Sequence, residues 1–485
     1  MNARRAIVPL TGLDGVFLDL ETPATPMHVG SVHLFARPEG RQRDFYGAVR
    51  RLLANGTRVA PVLGRRLAEV PLHLAHPVWV EGEEIDLDFH VRRVQVPAPG
   101  TQAALEDCIA ELHSQLMDRS RPLWTIYVLE GLEDGRRAYY FKIHHSVLDG
   151  AAGVALAAAL FSPSARRAAQ RTSRGASGDR PGWLAAAGAA FSHDAAQYVR
   201  LVRYLPTAVS ALAGIVSPAA SAGSQLLRNL AFGPRTPLNV TITAERRFAV
   251  GSLPLGEVKA IGARFGATIN DVVLAVCGGT LRRYLARHGG LPRAPLIATM
   301  PISLREAGDT HFGTAATLSL VNLATHIADP VRRLRAVCAA AGATKSLARS
   351  ARSVLPTDFP SIGVPWIVSS MAALYGRSHI ADVIPPIANV VISNVPGPQV
   401  PLYTAGARME AYWPVSIVEH GLGLNITVLS YTGTLAFGFT AARAAVADAR
   451  ELASDLAVAH AELKHCASRR PRRPAGTTHR RSRAA

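Results

Sequence analysis

Tyr139-Tyr140-Phe141-Lys142-Ile143-His144-His145-Ser146-Val147-Leu148-Asp149-Gly150 is the stretch around which the chain organises. Ala138 to Ile143 has the apolar, aromatic character of a strand. Trp124 to Leu129 has it too, and Glu133-Asp134-Gly135 between them supplies a turn, so a hairpin delivers two adjacent histidines at a strand end. Neighbouring residues on an extended backbone point to opposite sides, so only one of the pair can face a substrate. Three readings compete. A metal site needs a third or fourth ligand, and no partner at ligand spacing lies nearby. A structural reading makes both rings satisfied core histidines. A chemical reading needs one imidazole, fixed in tautomer and aimed into a cavity, because its proton affinity lies near working pH. Gly150 then allows a sharp turn, and Asp149 braces the loop.

Working outward, residues 1–160 read as one αβ unit. Ser31 to Phe35 is a strand, Arg43 to Leu53 a helix, and Gln102 to Met117 a second helix with Leu105, Ile109, Leu112 and Leu116 on one face. Residues 161–237 form a connection: Ser162 to Arg180 is Ala, Arg, Ser and Gly with almost no large apolar side chain. Trp183 to Phe232 is Ala-rich and helical, a helix packed on a domain or a surface that dips into lipid. A second αβ unit spans 238–465. It has a helix over Thr268 to Leu285, strands at Leu296 to Met300 and Asn389 to Ser393, and a last helix from Val446 to Leu463. Gly423 to Ser430 and Thr434 to Phe439 form a hairpin over Tyr431-Thr432-Gly433.

The formal charge is +18, and the eight basic side chains from Lys464 onward, with no acid among them, account for eight of it. Residues 466–485 therefore read as a basic disordered tail. Zinc-finger spacing and an RNA-binding aromatic string are both missing, so an anionic lipid surface or a phosphorylated ligand fits the charge better than nucleic acid. The four cysteines, Cys108, Cys277, Cys338 and Cys466, stand far apart, which suits a reducing cytoplasm. The first ten residues do not have the pattern of a signal peptide, and no apolar run is long enough to predict a membrane span.

The string HHxxxDG at 144–150 resembles the signature of the coenzyme-A-dependent acyltransferase superfamily. Further strings narrow the resemblance: Pro9-Leu10, Asp14, Phe17-Leu18, Glu21 and Pro26-Met27-His28-Val29-Gly30, then Arg121-Pro122-Leu123-Trp124, Asn270-Asp271-Val272-Val273-Leu274-Ala275 and Ser393-Asn394-Val395-Pro396-Gly397-Pro398. The last is followed by Leu402-Tyr403 and Ala405-Gly406-Ala407. Together they are similar to the bacterial wax ester synthase/diacylglycerol acyltransferase family. That resemblance implies an α/β fold of two chloramphenicol-acetyltransferase-like sandwich domains with the active site in a channel between them. It implies that His145 is the general base, that His144 supports it, and that Asp149 points away from substrate against an arginine. Asn270 and Asp271 are expected near the channel, with Asn270 a candidate oxyanion donor or a tie between two loops. Trp124, Ser393 and Asn394 are expected either to shape the sites or to serve the fold. The sequence departs from the family at Thr125, where a glutamate usually follows Pro-Leu-Trp, at Thr314 after Gly313, and near Ala441-Ala442.

The function so implied moves a fatty acyl group from acyl-CoA, a co-substrate, to diacylglycerol or a long-chain alcohol, with no metal or cofactor. The expected location is cytoplasmic, in peripheral contact with the membrane or with lipid droplets. Three other readings are a carrier-protein donor serving a specialised lipid or polyketide alcohol, a non-catalytic lipid-binding paralogue, and nucleic-acid binding on charge alone.

Overall fold

The computed structural model describes residues 6–37, 44–54, 60–73, 75–82, 84–148, 150–164, 184–185, 187–197, 232–303, 316–351 and 364–469. Asp149, most of the expected linker and Ala-rich connection, and the tail from Arg470 lie outside the described residues.

Nearly continuous apolar runs along both strands of the hairpin make it the centre of the first half. Strand Arg137–His144 lies between His28–Phe35 and Trp124–Glu130, antiparallel to both. Val91–Gln95 adds in parallel beyond Trp124–Glu130. On the other edge the sheet is completed by Tyr403–Thr404 and Ala407–Val415, and the order is 403–404, 407–415, 28–35, 137–144, 124–130, 91–95. The second half has its own six-stranded sheet, ordered 316–322, 297–303, 390–395, 424–431, 434–442, 246–254. A small sheet of Ile7–Pro9, Val78–Val80 and Arg66–Ala68 stands beside the first half. This is the expected α/β architecture of two sheet-and-helix halves.

The exchange of 403–415 is not anticipated by a division into 1–160 and 238–465. Val415 sits level with Gly30 and Met409 with Phe35. The exchanged strand runs so close to the second half's hairpin that a Cβ at Gly438 would fall 1.8 Å from the Pro414 carbonyl oxygen. Tyr431 of that hairpin accepts from the Leu402 amide (2.9 Å) and donates to the Met409 carbonyl (3.2 Å), so its ring lies in the first half's core.

The expected elements form with shifted ends, each for a local reason. The first strand starts at His28 rather than Ser31 because the hairpin pairs with it as far as His144. Helix Gln102–Ser114, capped by the Thr101 hydroxyl, stops short of Met117 because the Leu112 and Gln115 carbonyls accept from Lys142. The last helix, Arg450–Ser468, starts four residues after Val446, where Asp448 accepts from the Arg450 amide, and it runs three residues into the segment expected to be tail. Residues 184–185 and 187–197 of the Ala-rich stretch are helical.

Candidate active site

At the end of Arg137–His144 the backbone is bonded on both sides. The His144 amide donates to the Leu123 carbonyl (3.0 Å), the His145 amide donates to the Met27 carbonyl (2.9 Å), and the Val147 amide closes the turn onto the His144 carbonyl (3.0 Å). The two imidazoles part company as alternation requires. His144 has no exposed surface, whereas His145 is half-buried and stacks on Phe17 with ring centroids 4.1 Å apart and an interplanar angle of 18°. Phe17 is carried by helix Gly12–Leu20, which the Thr11 hydroxyl caps by accepting from the Asp14 amide.

The tautomer of His144 follows from its neighbours. Its Nδ1 accepts from the Ser146 amide (3.1 Å) and lies 2.7 Å from the Ser146 hydroxyl. An amide can only donate, so the ring proton belongs on Nε2, which faces Oε2 of Glu21 at 3.3 Å. Glu21 is a buried hub. Its Oε1 accepts from Arg119 Nε (3.2 Å) and Nη2 (3.0 Å), and its Oε2 accepts from the Met27 amide (3.1 Å). Burial alone would push the carboxyl up. The hydrogen bond from His144, the charge of Arg119 and the Met27 amide outweigh it and hold Glu21 at about 2. Met27 is thus gripped at its amide by Glu21 and at its carbonyl by His145. One carboxylate therefore fixes both histidines, His144 through its ring and His145 through its backbone.

A second polar layer lies behind the loop. Cross-strand pairing puts His28 beside His144 and Gly30 beside Lys142, on the face that meets helix Gln102–Ser114. Lys142 is almost fully buried, and burial draws its ammonium down to about 7 although the Glu21 charge opposes this. Its Nζ donates to the Leu112 carbonyl (2.8 Å) and to that of Gln115, where the helix dipole is negative. His113 donates from Nε2 to the Ser416 carbonyl (2.8 Å) and accepts at Nδ1 from the Tyr140 hydroxyl (2.6 Å). Burial keeps it at about 3, hence neutral. His28 donates to the His113 carbonyl and is likewise held neutral by burial.

The second half contributes a different junction. Asn270, in the first turn of helix Ile269–Arg287, accepts at Oδ1 from Asn394 Nδ2 (3.4 Å) and turns its own Nδ2 toward the Met300 sulfur (3.6 Å), a weak acceptor. One helix and two strands of that half thereby meet at one amide pair. Ser393 lies beside it on Val390–Val395, level with Thr427. Asp271 is occupied otherwise: its Oδ2 accepts from the Thr268 amide (2.9 Å) and hydroxyl (2.7 Å), a capping box. Trp124 is also committed, donating to the Leu63 carbonyl (2.8 Å) and stacking on His90 at 4.4 Å inside the core. Gly150 opens helix Gly150–Leu160. Among the described residues no cluster of three or more potential metal ligands occurs. A cavity of about 300 Å³ lies on the first half, lined by Arg66, Glu84, Asp86, His90, Arg121 and Pro122 among others, and Arg121 there is paired with Asp86 at 2.9 Å.

Sequence reasoning placed Glu21 and His28 in the opening signature without a role, and it did not single out Lys142, His113 or Arg119. The available signal was positional: an acid, a lysine and histidines within strings otherwise apolar.

Comparison with known proteins now decides the family. The wax ester synthase/diacylglycerol acyltransferase catalytic domain matches residues 10–273, and the C-terminal domain of the same family matches residues 312–464. The chain belongs to this family of acyltransferases. A Mycobacterium tuberculosis H37Rv protein named a putative diacylglycerol O-acyltransferase is 36% identical over 461 residues, covering 94% of this chain and 99% of its own length. Another from that strain, named a probable diacylglycerol O-acyltransferase, is 34% identical over 445 residues, covering 91% and 96%. The solved wax ester synthase/diacylglycerol acyltransferase from Marinobacter aquaeolei VT8 superposes with a TM-score of 0.67 at 30% identity, over 95% of this chain and all of that one. A condensation domain of the calcium-dependent antibiotic synthetase shares the fold at 15% identity, with a TM-score of 0.57 and coverage of 96% and 97%.

Proposed function

We propose that this enzyme transfers a fatty acyl group from acyl-CoA to the hydroxyl of diacylglycerol, forming triacylglycerol, and also to long-chain alcohols, forming wax esters. The observation that carries the reading is the division of labour between adjacent imidazoles: His144 sealed and locked by Glu21 and Ser146, His145 half-open and held at its backbone. His145 takes the hydroxyl proton as the oxygen attacks the thioester carbonyl. The tetrahedral intermediate collapses, the C–S bond breaks, and the departing sulfur receives that proton, leaving ester and free coenzyme A. The negative oxygen of the intermediate needs preorganised donors. Asn270 is suited to this, since Asn394 occupies its carbonyl and only a weakly accepting sulfur faces its amide. Asp149 braces the loop, and Trp124 and Asp271 act through the fold. The names of the relatives support diacylglycerol as acceptor. The water-insoluble acceptor implies peripheral work at the cytoplasmic face of the membrane or at lipid droplets.

The test offers palmitoyl-CoA to the purified protein with diacylglycerol, with hexadecanol and with no acceptor, and separates the lipid products. Triacylglycerol and wax ester are expected only with their acceptors. Formation of neither would remove this reading.

A further inference from the structure

An enzyme with such an acceptor must meet lipid somewhere on its surface, and among the described residues no single helix is long and apolar enough to cross a membrane. Twelve large apolar side chains are exposed among the described residues, and six of them gather in one place: Phe232, Met371, Leu374, Val383, Ile384 and Ile387, between 45% and 78% exposed. Their backbone is well anchored. The Gly233 amide donates to the Pro386 carbonyl (2.7 Å), Arg235 donates to the Ala381 (3.2 Å) and Ile384 (2.8 Å) carbonyls, and the Thr241 amide donates to Asp382 (2.6 Å). Helix Val364–Arg377 has a committed inner side, where Tyr375 meets His420 edge-on at 6.1 Å and a Cβ at Gly376 would fall 2.7 Å from His420 Nε2. Met371 and Leu374, three residues apart on this helix, are nonetheless exposed.

Helix packing connects this face to the candidate active site. Helix Val364–Arg377 packs against helix Gly12–Leu20, whose Phe17 stacks on His145. Charge favours one occupant over another. The patch has few charged groups: Asp382 accepts from the Thr241 amide and lies 3.1 Å from His379, while exposed Arg377 has no ion-pair partner among the described residues. A chain of formal charge +18 repels its own copies and is drawn to an anionic surface. Contiguous exposed apolar area of this kind marks an interaction site on a monomer.

We propose that the face formed by Met371, Leu374, Val383, Ile384, Ile387 and Phe232 docks onto an anionic lipid surface and holds His145 beside the layer that contains the acceptor. This rests on the acyltransfer reading above. The test is the triple variant Met371→Glu, Leu374→Glu, Ile387→Glu in the full chain, with Val383→Glu as a single variant at the most exposed position. Cosedimentation is measured with phosphatidylglycerol/phosphatidylcholine vesicles and with phosphatidylcholine alone, and palmitoyl transfer to vesicle-borne diacylglycerol and to dissolved hexanol. An unchanged Tm is expected, with at least a tenfold loss of binding to the anionic vesicles and of transfer to vesicle diacylglycerol, and an unchanged rate on hexanol. Undiminished vesicle binding by both variants would overturn the proposal. So would a wild-type dimer that the triple variant dissolves, or a large fall in Tm for both variants, since the face would then cover a second copy or the chain itself. If the wild type acylates no acceptor yet loses vesicle binding on substitution, the docking face stands and the acyltransfer reading fails.

Discussion

The two six-stranded sheets differ in where their buried polar groups lie. The second half's core is a continuous apolar block in which Leu274, Ile426, Val428, Phe437 and Leu452 are essentially unexposed. The first half buries Glu21, His28, Lys142, His113 and His144 behind the loop at 144–147. Apolar packing stabilises without specifying direction, whereas each buried polar group must be matched by a partner in one orientation. Buried polar groups are the costly element, and in the first half they surround one imidazole held in a fixed tautomer and a second held through its backbone. The second half brings to the proposed reaction one amide pair, while its other buried polar groups, Asn239 with Asn389, Arg333 and Asn425, tie its own elements together.

That contrast breaks most sharply at His145. His145→Ala is expected to cost about 10² to 10⁴ in kcat, as loss of a general base does, while leaving Tm within a few degrees because the ring is half-buried. His144→Ala should cost less in rate and more in stability, since it leaves Glu21 facing a void. Paired activity and thermal-unfolding measurements check both; near-normal turnover of a folded His145→Ala enzyme would remove the base from the first half altogether. Next comes Asn270. Asn270→Ala is expected to lower kcat by about 10² with little change in KM if its amide meets the oxyanion. A fall in Tm with kcat intact would make it a tie between loops, and the second half would then be scaffold only.

Glu21→Gln should have a smaller effect on rate, about tenfold, because the amide keeps one oxygen for Met27 and loses the charge that orders His144 and Arg119. Its stability signature is more telling. The Glu21 carboxyl is depressed from the ordinary 4.5 to about 2 in the folded protein. Its contribution is complete above pH 4.5 and is lost as pH falls toward 2, about 3 kcal/mol on the wild type's acid limb. Denaturant unfolding of the Gln variant should lack that portion of the acid dependence. Identical limbs would mean that Glu21 is not the hub.

The legible and illegible parts of the molecule divide along similar lines. The hairpin ending in His144 and His145, the helix after Thr268 and the hairpin over Thr432-Gly433 are local patterns, and they form where periodicity and turn chemistry put them. The exchange of Ala407–Val415 into the first sheet was invisible, because alternation marks a strand without naming its partner. Glu21 was invisible as a hub for the same reason, since nothing in its spacing says that it folds back onto a histidine 123 positions later. Asp271 shows the opposite error of emphasis: Thr268 three residues before it spells a capping box, a local pattern outweighed by its place in a family string. The expected roles of Asp149 and of the tail fall outside the described residues.

The smallest expected effect concerns the residue at which this sequence departs from its family beside the site. Thr125 is the cross-strand partner of Lys142, so their side chains share a face, and both are buried. A glutamate there, as the family usually has, would stand beside the ammonium. In this chain the groups that act on Lys142 are the Leu112 and Gln115 carbonyls, the Glu21 charge, the opposing Arg92 charge, and the neutral rings of His28 and His113. With its folded value near 7 and its ordinary value at 10.5, the unfolded chain binds the extra proton throughout that interval. The penalty for burying the charge is full below pH 7 and is relieved as pH rises, so the wild type should gain about 2 kcal/mol between pH 7 and pH 9 from this group. Thr125→Glu should raise the folded value of Lys142, narrow the interval and flatten that rise, while leaving kcat on a dissolved acceptor within about twofold, since neither side chain touches the substrate. Urea titrations of both proteins at the two pH values measure the difference in slope directly. Equal slopes would show that Lys142 does not sense the carboxylate across the strand, and that the polar plan of the first half extends no deeper than Glu21.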